Sequence, residues 1–384
     1  MKKNILPLLT ILIFLFSQQS FGQTWSPPKR LTWNAGFSSW PSIATDSGSG
    51  IHVVWSDGQY DDDEIFHKRS TDSGSTWSAP IRLTWNDYYS GNPSISIDSN
   101  GIIHVVWHDN TPMSWYPDIY HKCSPDGGDT WSRPSRISWN IGHSLFPSIS
   151  TDSDDGIHVV WQDDAPGNDE IFYKHSTDMG KTWSRLKRLT WNSWESQKPS
   201  IAIDSFNVLH VVWWDRAMDN DILYKRSTDK GETWSGVIRL KSILGYSYAP
   251  SITTDLENRI HVVCYDGSPG NDEIYYMRST DGGITWSILK RLTYNEGNSW
   301  KPKIAKDSFN GIHVVWIDDK PGNWEIYYKS SPDGGVTWSG PTRLTWNVDY
   351  SWNPSLAADS IGRIHVVWED YTSKGYDIFY KNRK

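Results

Sequence analysis

Seven histidines recur at a nearly constant spacing along the chain, and imidazole is the commonest metal ligand in proteins. Each is the second residue of the pentapeptide IHVVW or a close variant, and successive copies lie 51 to 54 residues apart: His52, His104, His158, His210, His261, His313 and His365. In a ring of strands about 12 Å from an axis, neighbouring copies would be about 10 Å apart. Ligands of one ion lie about 2.1 Å from it. The pattern therefore favours packing between repeats, and we expect no metal site.

Two stretches rich in carboxylates offer the several oxygen ligands that calcium prefers. Residues 57–64 read DGQYDDDE and residues 163–170 read DDAPGNDE. The first lacks the spacing of an EF-hand loop, and adjacent acids can simply be solvated. We expect no cofactor, with calcium as the alternative that stays open.

A third periodic set combines one acid and one arginine per repeat. Cross-strand pairing of Ser70 with Thr76 would place Glu64 directly opposite Arg82, and the same rule applies to every complete repeat. We therefore predict ion pairs that stabilise modestly, and not catalytic carboxylates. The acids are Glu64, Asp118, Glu170, Asp221, Glu273, Glu325 and Asp377, and the arginines are Arg82, Arg136, Arg188, Arg239, Arg291, Arg343 and Arg30.

The start of the chain has the order of a secretory signal peptide. Two lysines precede a short apolar run, and small residues follow it. We expect cleavage near Gly22 and a secreted or periplasmic protein. The formal net charge of −8 and the even spread of Lys and Arg argue against nucleic acid. No other segment is long and apolar enough for membrane insertion. We expect the two cysteines, Cys123 and Cys264, to be free thiols in distant repeats.

Each repeat contains four short runs of β-branched and aromatic residues, separated by Gly, Asp, Asn or Pro. No helical period is present. Seven such repeats predict an all-β protein, a seven-bladed β-propeller of four-stranded antiparallel blades. The N-terminal strand should join the C-terminal blade and close the ring. Residues 23–384 form this single domain after a signal peptide of residues 1–22. The predicted blades are residues 41–86, 93–140, 147–192, 199–241, 250–295, 302–347, and 354–384 with 24–34.

Six copies of the phrase S-x-D-x-G-x-T-W follow the third strand of their repeats, as in STDSGSTWS from Ser70. On these residues the chain resembles the Asp-box (BNR repeat) sialidase-like propellers over its whole length after residue 22. The resemblance implies that the box is a turn between the two outer strands, in which Asp accepts turn amides and Gly adopts a positive φ. The structural Asp-box aspartates are Asp72, Asp126, Asp178, Asp229, Asp281 and Asp333.

Sialidases of this superfamily use three arginines near the axis, a tyrosine nucleophile and an acid/base aspartate, on the face opposite the boxes. Of the 16 arginines here, only Arg216 is placed by the repeat in a loop of that face. The Arg-Ile-Pro signature of the family is missing, and seven blades exceed the six of sialidases. We therefore assign no catalytic residue, and the sequence disfavours enzymatic activity without excluding it.

Seven of the 25 tryptophans stand outside the repeated phrases, in or beside connections that emerge on the face opposite the boxes. Loops on a rigid scaffold commonly carry binding residues, and indole rings stack on the apolar faces of sugars. Trp300, Trp352 and Trp40 should border the central depression, and Ala at Trp300 or Trp352 should weaken binding without changing the melting temperature. The predicted ligand-binding residues are Trp40, Trp300, Trp352, Trp194, Trp115, Trp324, Trp214 and Arg216.

The sequence favours a secreted, non-catalytic, lectin-like protein whose partner is a glycan or surface polysaccharide. One alternative is a glycan-acting enzyme of the sialidase-like superfamily, which needs unlike titratable residues near the axis. Another is an interaction or assembly propeller, which needs a broad apolar patch for a protein partner.

Overall fold

The computed structural model describes residues 24–33, 36–58, 62–86, 88–111, 114–216, 220–240, 246–372 and 375–383. The predicted signal peptide of residues 1–22 lies outside them. In the described part of the chain the regular structure consists of β-strands, and no helix there is long and apolar enough to cross a membrane.

The strands form seven antiparallel sheets of four, each a blade whose strands A to D run outward from the axis. The A strands are β2 (Phe37–Thr45), β6 (Ser90–Ile97), β10 (Ser144–Thr151), β14 (Ser196–Ile203), β18 (Ser247–Thr254), β22 (Ser299–Lys306) and β26 (Ser351–Ala358). The B strands are β3 (Ile51–Gly58), β7 (Ile103–Thr111), β11 (Ile157–Asp163), β15 (Leu209–Asp215), β19 (Ile260–Asp266), β23 (Ile312–Asp318) and β27 (Ile364–Thr372).

The C strands are β4 (Glu64–Ser70), β8 (Ser114–Ser124), β12 (Glu170–Ser176), β16 (Asp221–Ser227), β20 (Glu273–Ser279), β24 (Glu325–Ser331) and β28 (Gly375–Arg383). The short D strands are β5 (Ile81–Arg82), β9 (Ser135–Arg136), β13 (Lys187–Arg188), β17 (Ile238–Arg239), β21 (Lys290–Arg291), β25 (Thr342–Arg343) and β1 (Lys29–Arg30). Because neighbouring strands are antiparallel, the B–C and D–A connections emerge on one face, which we call the loop face. The A–B turns and the Asp-boxes emerge on the other, the Asp-box face.

The N-terminal strand completes the last blade, as the sequence predicts. Strand β1 pairs with β28, with Arg30 opposite Phe379, and Arg30 forms an ion pair with Asp377 at 2.5 Å. Blades 1 and 7 are neighbours, since the Thr45 hydroxyl donates to the carbonyl of Ala358. The predicted seven-bladed all-β architecture is therefore confirmed. The A strands begin before the predicted blade boundaries, for example at Ser90 and not at residue 93, because pairing with strand B continues across a bulge.

The hydrophobic core lies between neighbouring blades. The apolar residues of the B strands are almost wholly buried, including the Trp of each IHVVW, which is at most 1% exposed. One cluster joins Leu31, Val367 and Tyr380 of blade 7 to Ile43 and Trp55 of blade 1. Each blade thus buries both faces of its sheet against its two neighbours.

The seven repeated histidines form part of this packing. In blade 3, His158 Nε2 contacts Asp152 at 3.1 Å and Nδ1 contacts the Tyr173 hydroxyl at 2.8 Å. The Tyr173 ring then meets the edge of Trp234 from the Asp-box of the next blade. Among the described residues, no group of three or more His, Cys, Asp or Glu side chains is placed to hold a metal ion.

The Asp-boxes are the predicted turns. Asp72 accepts hydrogen bonds from the Thr76 amide at 2.7 Å, the Thr76 hydroxyl at 2.6 Å and the Ser70 hydroxyl at 2.8 Å. The Thr76 bonds are the main cause that lowers the pKa of Asp72 to about 2. Gly74 has a φ of +83°, and a Cβ there would lie 2.2 Å from the hydroxyl of Tyr380. The glycine is therefore needed both for the turn and for the close approach of the neighbouring blade.

The predicted ion pairs are present in all seven blades, but their register differs from the prediction. Arg82 lies opposite Phe66, and not Glu64, in the pairing of β4 with β5. The guanidinium reaches diagonally along the strand and contacts Glu64 at 2.5 Å. A diagonal contact is within reach of a long side chain. The other six pairs are Arg30–Asp377, Arg136–Asp118, Arg188–Glu170, Arg239–Asp221, Arg291–Glu273 and Arg343–Glu325.

Both cysteines are free thiols, in agreement with the sequence prediction. Cys123 lies in strand C of blade 2 and Cys264 in strand B of blade 5. Cys264 stands where the other blades have the buried Trp, and its burial raises the pKa of its thiol.

We predict that deletion of residues 24–33 lowers the free energy of unfolding by about 3 kcal/mol or more. Strand β28 would lose its outer partner, and the buried side chain of Leu31 would leave the core. Urea denaturation of this variant should be compared with a chain that lacks only residues 1–23. Equal unfolding free energies would show that the N-terminal strand does not close the ring.

We predict that the melting temperature falls between pH 7 and pH 5. Burial lowers the pKa of ten histidines, among them His104, His210 and His261, from the ordinary value of 6.5. The unfolded chain then binds more protons than the folded chain below pH 6.5. The stability that the neutral, buried histidines contribute is complete above pH 6.5 and is lost as the pH falls below it.

Burial acts in the opposite direction at a smaller set of carboxyl groups, whose pKa values it raises: Asp109, Asp118, Asp169, Glu369 and Asp370. Their contribution grows as the pH falls, but the histidines outnumber them. Calorimetry across this range tests the balance. A melting temperature that stays level or rises toward pH 5 would contradict it.

Candidate functional site: the axial pocket of the loop face

A buried carboxylate fixes the point at which each inner strand begins. In blade 2, Asp109 at the end of strand B accepts hydrogen bonds from the Ser90 hydroxyl at 3.1 Å and the Trp107 indole at 2.9 Å. It also accepts the side-chain amide of Asn86, which arrives from the preceding blade, at 3.0 Å. The Asn86 backbone amide donates to Glu64 at 2.8 Å. This network joins the ion pair of one blade to the inner strand of the next.

Immediately after this anchor, every inner strand contains a bulge. Pairing with strand B shifts register across two residues, the second of which is a proline, as between Ser39 and Ser42 in β2. The residue before each proline has a φ between 46° and 54°. Residues before proline normally adopt extended conformations, so the fold must hold this one against its preference. The seven residues are Trp40, Asn92, Phe146, Lys198, Ala249, Lys301 and Asn353.

These seven residues surround the axis at its loop-face end. Together with the prolines and the residues after them, they line a pocket of about 240 Å³. We call it the axial pocket. The backbone is the same in all seven blades, but the side chains comprise two aromatic rings, two lysines, two amides and one methyl group. One position deeper, most blades contribute serine, while blade 6 contributes Lys303.

The axial pocket is positively charged. Lys301 donates to the Asn353 side chain at 2.7 Å, and its ammonium lies 5.1 Å from the Trp40 ring and 4.8 Å from the Trp352 ring. Burial lowers the pKa of Lys301 to about 8, which leaves it mainly protonated at neutral pH. Desolvation also lowers the pKa of Lys198 and of Lys303, and both residues line the pocket.

One acid lies behind the pocket wall and holds two of the bulges. Glu369 on β27 accepts the Trp40 backbone amide at 2.9 Å and the Asn353 side-chain amide at 2.6 Å. Burial raises its pKa to about 7. In blade 3, Gln162 takes the same role and accepts the backbone amide of Lys198 at 3.0 Å. Glu369 therefore positions Trp40, and both of its oxygens are engaged.

A row of aromatic rings in stacked or tilted contact, which we call the aromatic arc, leads around the loop face from blade 4 to blade 7. Successive ring centroids lie 4.4 to 6.3 Å apart. The rings are Trp214, Tyr248, Tyr265, Trp300, Trp324 and Trp352. The ammonium of Lys301 between Trp352 and Trp40 joins the arc to the axial pocket.

The structure separates the predicted binding residues into different places. Trp40 lines the axial pocket, whereas Trp300 and Trp352 do not, contrary to expectation. Each precedes the bulge residue of its blade by one position, and its side chain therefore lies in the aromatic arc and not in the pocket. Trp324 and Trp214 also belong to the arc, and Trp214 is only 8% exposed.

The remaining predicted residues lie apart from the pocket. Trp194 is exposed on the loop face, 5.7 Å from the guanidinium of Arg216, which contacts Glu195 at 3.3 Å. Trp115 belongs to β8, but its side chain lies outside the described residues. Sequence reasoning missed Asn92, Phe146, Lys301, Lys303 and Glu369. The available signal was the variable residue before the proline in each otherwise constant S-x-x-P.

A model of the BNR repeat-like domain matches residues 11–262, which is more than half of the chain, and a BNR/Asp-box repeat model matches residues 277–287. The chain belongs to the BNR repeat-like family. A sialidase of Bacteroides fragilis (strain YCH46) is 23% identical over 275 residues, covering 60% of this chain and 49% of that protein. The chain thus spans about half the length of this curated relative.

Three solved structures of similar fold share little sequence with this chain. A protein of unknown function from Dyadobacter fermentans DSM 18053 has a TM-score of 0.61 and 14% identity, with 93% of this chain and 97% of that chain covered. An ulvan lyase of a polysaccharide lyase family has a TM-score of 0.65 and 12% identity, with coverages of 91% and 95%. The α-L-arabinofuranosidase Arb93A of Fusarium graminearum has a TM-score of 0.58 and 14% identity, with coverages of 78% and 94%.

We predict that Trp300→Ala destabilises the protein by roughly 1–3 kcal/mol, because Trp300 stacks on Trp324, packs against Tyr265 and donates to Asp272 at 2.5 Å. This replaces the expectation of an unchanged melting temperature. The matched control is Trp194→Ala, whose ring is 53% exposed and should change stability by less than about 0.5 kcal/mol. Equal unfolding free energies for the two variants would contradict a packing role for the arc.

Proposed function

We propose that this protein is a secreted or periplasmic, non-catalytic carbohydrate-binding propeller that binds an anionic glycan in its axial pocket. The observation that carries the proposal is the ring of seven strained bulge residues. A constant, rigid backbone presents different side chains to one cavity, as expected of a site whose selectivity resides in side chains and not in loop shape. Backbone strain repeated at one position is typical of functional sites.

The chemistry of the lining suits a charged sugar. Trp40 and Phe146 offer aromatic surfaces for the apolar faces of a sugar ring. Asn92 and Asn353 can exchange hydrogen bonds with hydroxyl groups, and the three lysines favour a carboxylate or sulfate substituent. The sialidase, the ulvan lyase and the arabinofuranosidase similar to this chain are named for action on glycans, which supports the ligand class.

The lining argues against hydrolysis. Among the described residues that line the pocket there is no Asp, Glu, His or Tyr, whereas glycoside hydrolysis generally needs a pair of carboxyl groups or a substitute nucleophile. A glycan-acting enzyme remains the second candidate because of Glu369. A carboxyl group with a pKa of about 7 beside Lys301 is the kind of group that serves in acid–base catalysis. Its two hydrogen bonds into the wall favour a positioning role.

We predict that Trp40→Ala and Phe146→Ala each weaken glycan binding several-fold, since one stacking contact contributes on the order of 1 kcal/mol. A glycan array that includes uronate and sulfated sugars would identify the ligand, and calorimetry would measure the variants. The matched control is Phe206→Ala, which removes an exposed ring from an A–B turn of the Asp-box face and should leave affinity unchanged.

Two results would contradict the proposal. If the intact protein bound no glycan on the array, the protein-interaction alternative would be favoured. If it released a shortened or unsaturated product from a bound glycan, and Glu369→Gln abolished release but not binding, the protein would be an enzyme.

A further inference from the structure

An exposed aromatic ring stands at the outer edge of most junctions between neighbouring blades. These rings belong to the repeated phrase LTWN and its variants, and they are between 65% and 72% exposed. The Trp of IHVVW, which is repeated just as regularly, is buried. Periodicity therefore does not identify these rings as core residues. The six rings, which we call the rim rings, are Trp33, Trp85, Trp139, Trp191, Tyr294 and Trp346.

At four of the rim rings, the ammonium of a buried lysine from the next blade lies 5.0 to 5.3 Å from the ring centroid. Lys68 of blade 1 donates to the carbonyl of Leu31 in blade 7 at 2.7 Å, and its ammonium lies 5.1 Å from the Trp33 ring. The same arrangement joins Lys122 to Trp85, Lys225 to Trp191 and Lys381 to Trp346. The arginine of the ion pair approaches four of the rings from their own blade, at 4.2 to 6.0 Å.

The ring and the lysine occur as a unit. At the junction of blades 4 and 5, the sequence has Ser242 at the ring position and Met277 at the lysine position. Ser242 lies outside the described residues, and Met277 is buried. The two residues lie on different blades, 34 to 37 positions apart in the chain, and they are thus both present at six junctions and both replaced at the seventh. A lysine, an arginine or both approach each ring, and most of the residue's surface remains in solvent.

We propose that the six rim rings are repeated, secondary binding sites, each of which stacks one pyranose ring from the end of a glycan. The sites use no residue of the axial pocket, although the ligand class rests on the proposed function. An open aromatic face supplies the apolar platform, and the partly exposed arginine can donate to sugar hydroxyl groups.

The spacing of the rings favours sugars over a protein partner. Strand D lies about 21 Å from the axis, so neighbouring rim rings are about 18 Å apart. Charged side chains separate them, so they do not form the contiguous apolar patch that a protein interface requires. Single rings at this spacing suit separate glycan ends on a crowded surface, where several weak contacts act together through effective concentration.

The experiment compares three variants with the wild type on surfaces of different sugar density. Biotinylated glucose, galactose, mannose, fucose and glucuronic acid are immobilised sparsely and densely, and retention is measured for the wild type, for Trp40→Ala and for a rim variant. The rim variant carries Ala at Trp33, Trp85, Trp139, Trp191, Tyr294 and Trp346. A second rim variant carries Phe at the five Trp positions, and keeps an aromatic platform.

We expect the Ala rim variant to lose at least tenfold in retention on dense surfaces for one or more of these sugars, while its affinity for free glucuronic acid, the soluble probe of the axial pocket, is unchanged. The Phe rim variant should retain most of the binding. Trp40→Ala should show the reverse pattern, so that failure of the axial site and failure of the rim sites are distinguishable.

Three outcomes would overturn the rim sites. If the Ala rim variant were retained as well as the wild type and differed only in a lower melting temperature, the rings would serve to shield the lysines from solvent and not to bind sugar. Retention that does not depend on density in the wild type would remove the argument from multivalency. Rim-dependent binding to vesicles of anionic phospholipid, without rim-dependent binding to any sugar surface, would identify a membrane contact instead.

Discussion

The buried carboxylate at the end of strand B is the group on which the rest of the structure depends. Asp109 and its six counterparts accept a serine hydroxyl from their own inner strand, and in most blades an indole and the asparagine that arrives from the preceding blade. A buried charge is costly unless it is well hydrogen-bonded, so in most blades the preceding blade helps to stabilise the buried carboxylate. The burial raises the pKa of Asp109 and of Asp370 to about 6. The ring is thereby joined blade to blade through polar contacts as well as apolar ones.

The same anchor explains how a repetitive fold builds a site that does not repeat. The carboxylate binds the serine at which each inner strand begins, and the proline three residues after that serine ends the bulge. The residue directly before the proline has a positive φ in every blade, and only its side chain differs between blades. Seven blades therefore contribute seven side chains to one cavity, among them Lys198, Lys301 and Trp40. Glu369 accepts the backbone amide of Trp40, and Gln162 accepts that of Lys198.

The tryptophans illustrate how one residue type serves opposite purposes. Those of the B strands fill the core, and those of the Asp-boxes meet the aromatic residue of the preceding blade edge to face. Trp300, Trp324 and Trp352 pack against one another along the loop face, while the rim rings are exposed to solvent. Burial, and not frequency or periodicity, distinguishes these classes. A Trp in a constant phrase can be a surface residue, and a Trp in a variable loop can be a packing residue.

The sequence by itself determined the features that depend on local pattern repeated at a fixed period. Blade number, strand order, closure by residues 24–33, the Asp-box turns and the partners of the ion pairs follow from phrases that recur every 51 to 54 residues. Only the tertiary structure decided which side chains converge. A bulge shifts the inner strand by one position, so Trp40 lines the pocket and Trp300 does not. Closure of the ring brings Lys198, Lys301 and Lys303 to one axis. The repeat shows that Lys198 and Lys301 are equivalent positions, but only the folded ring shows that these positions line one cavity.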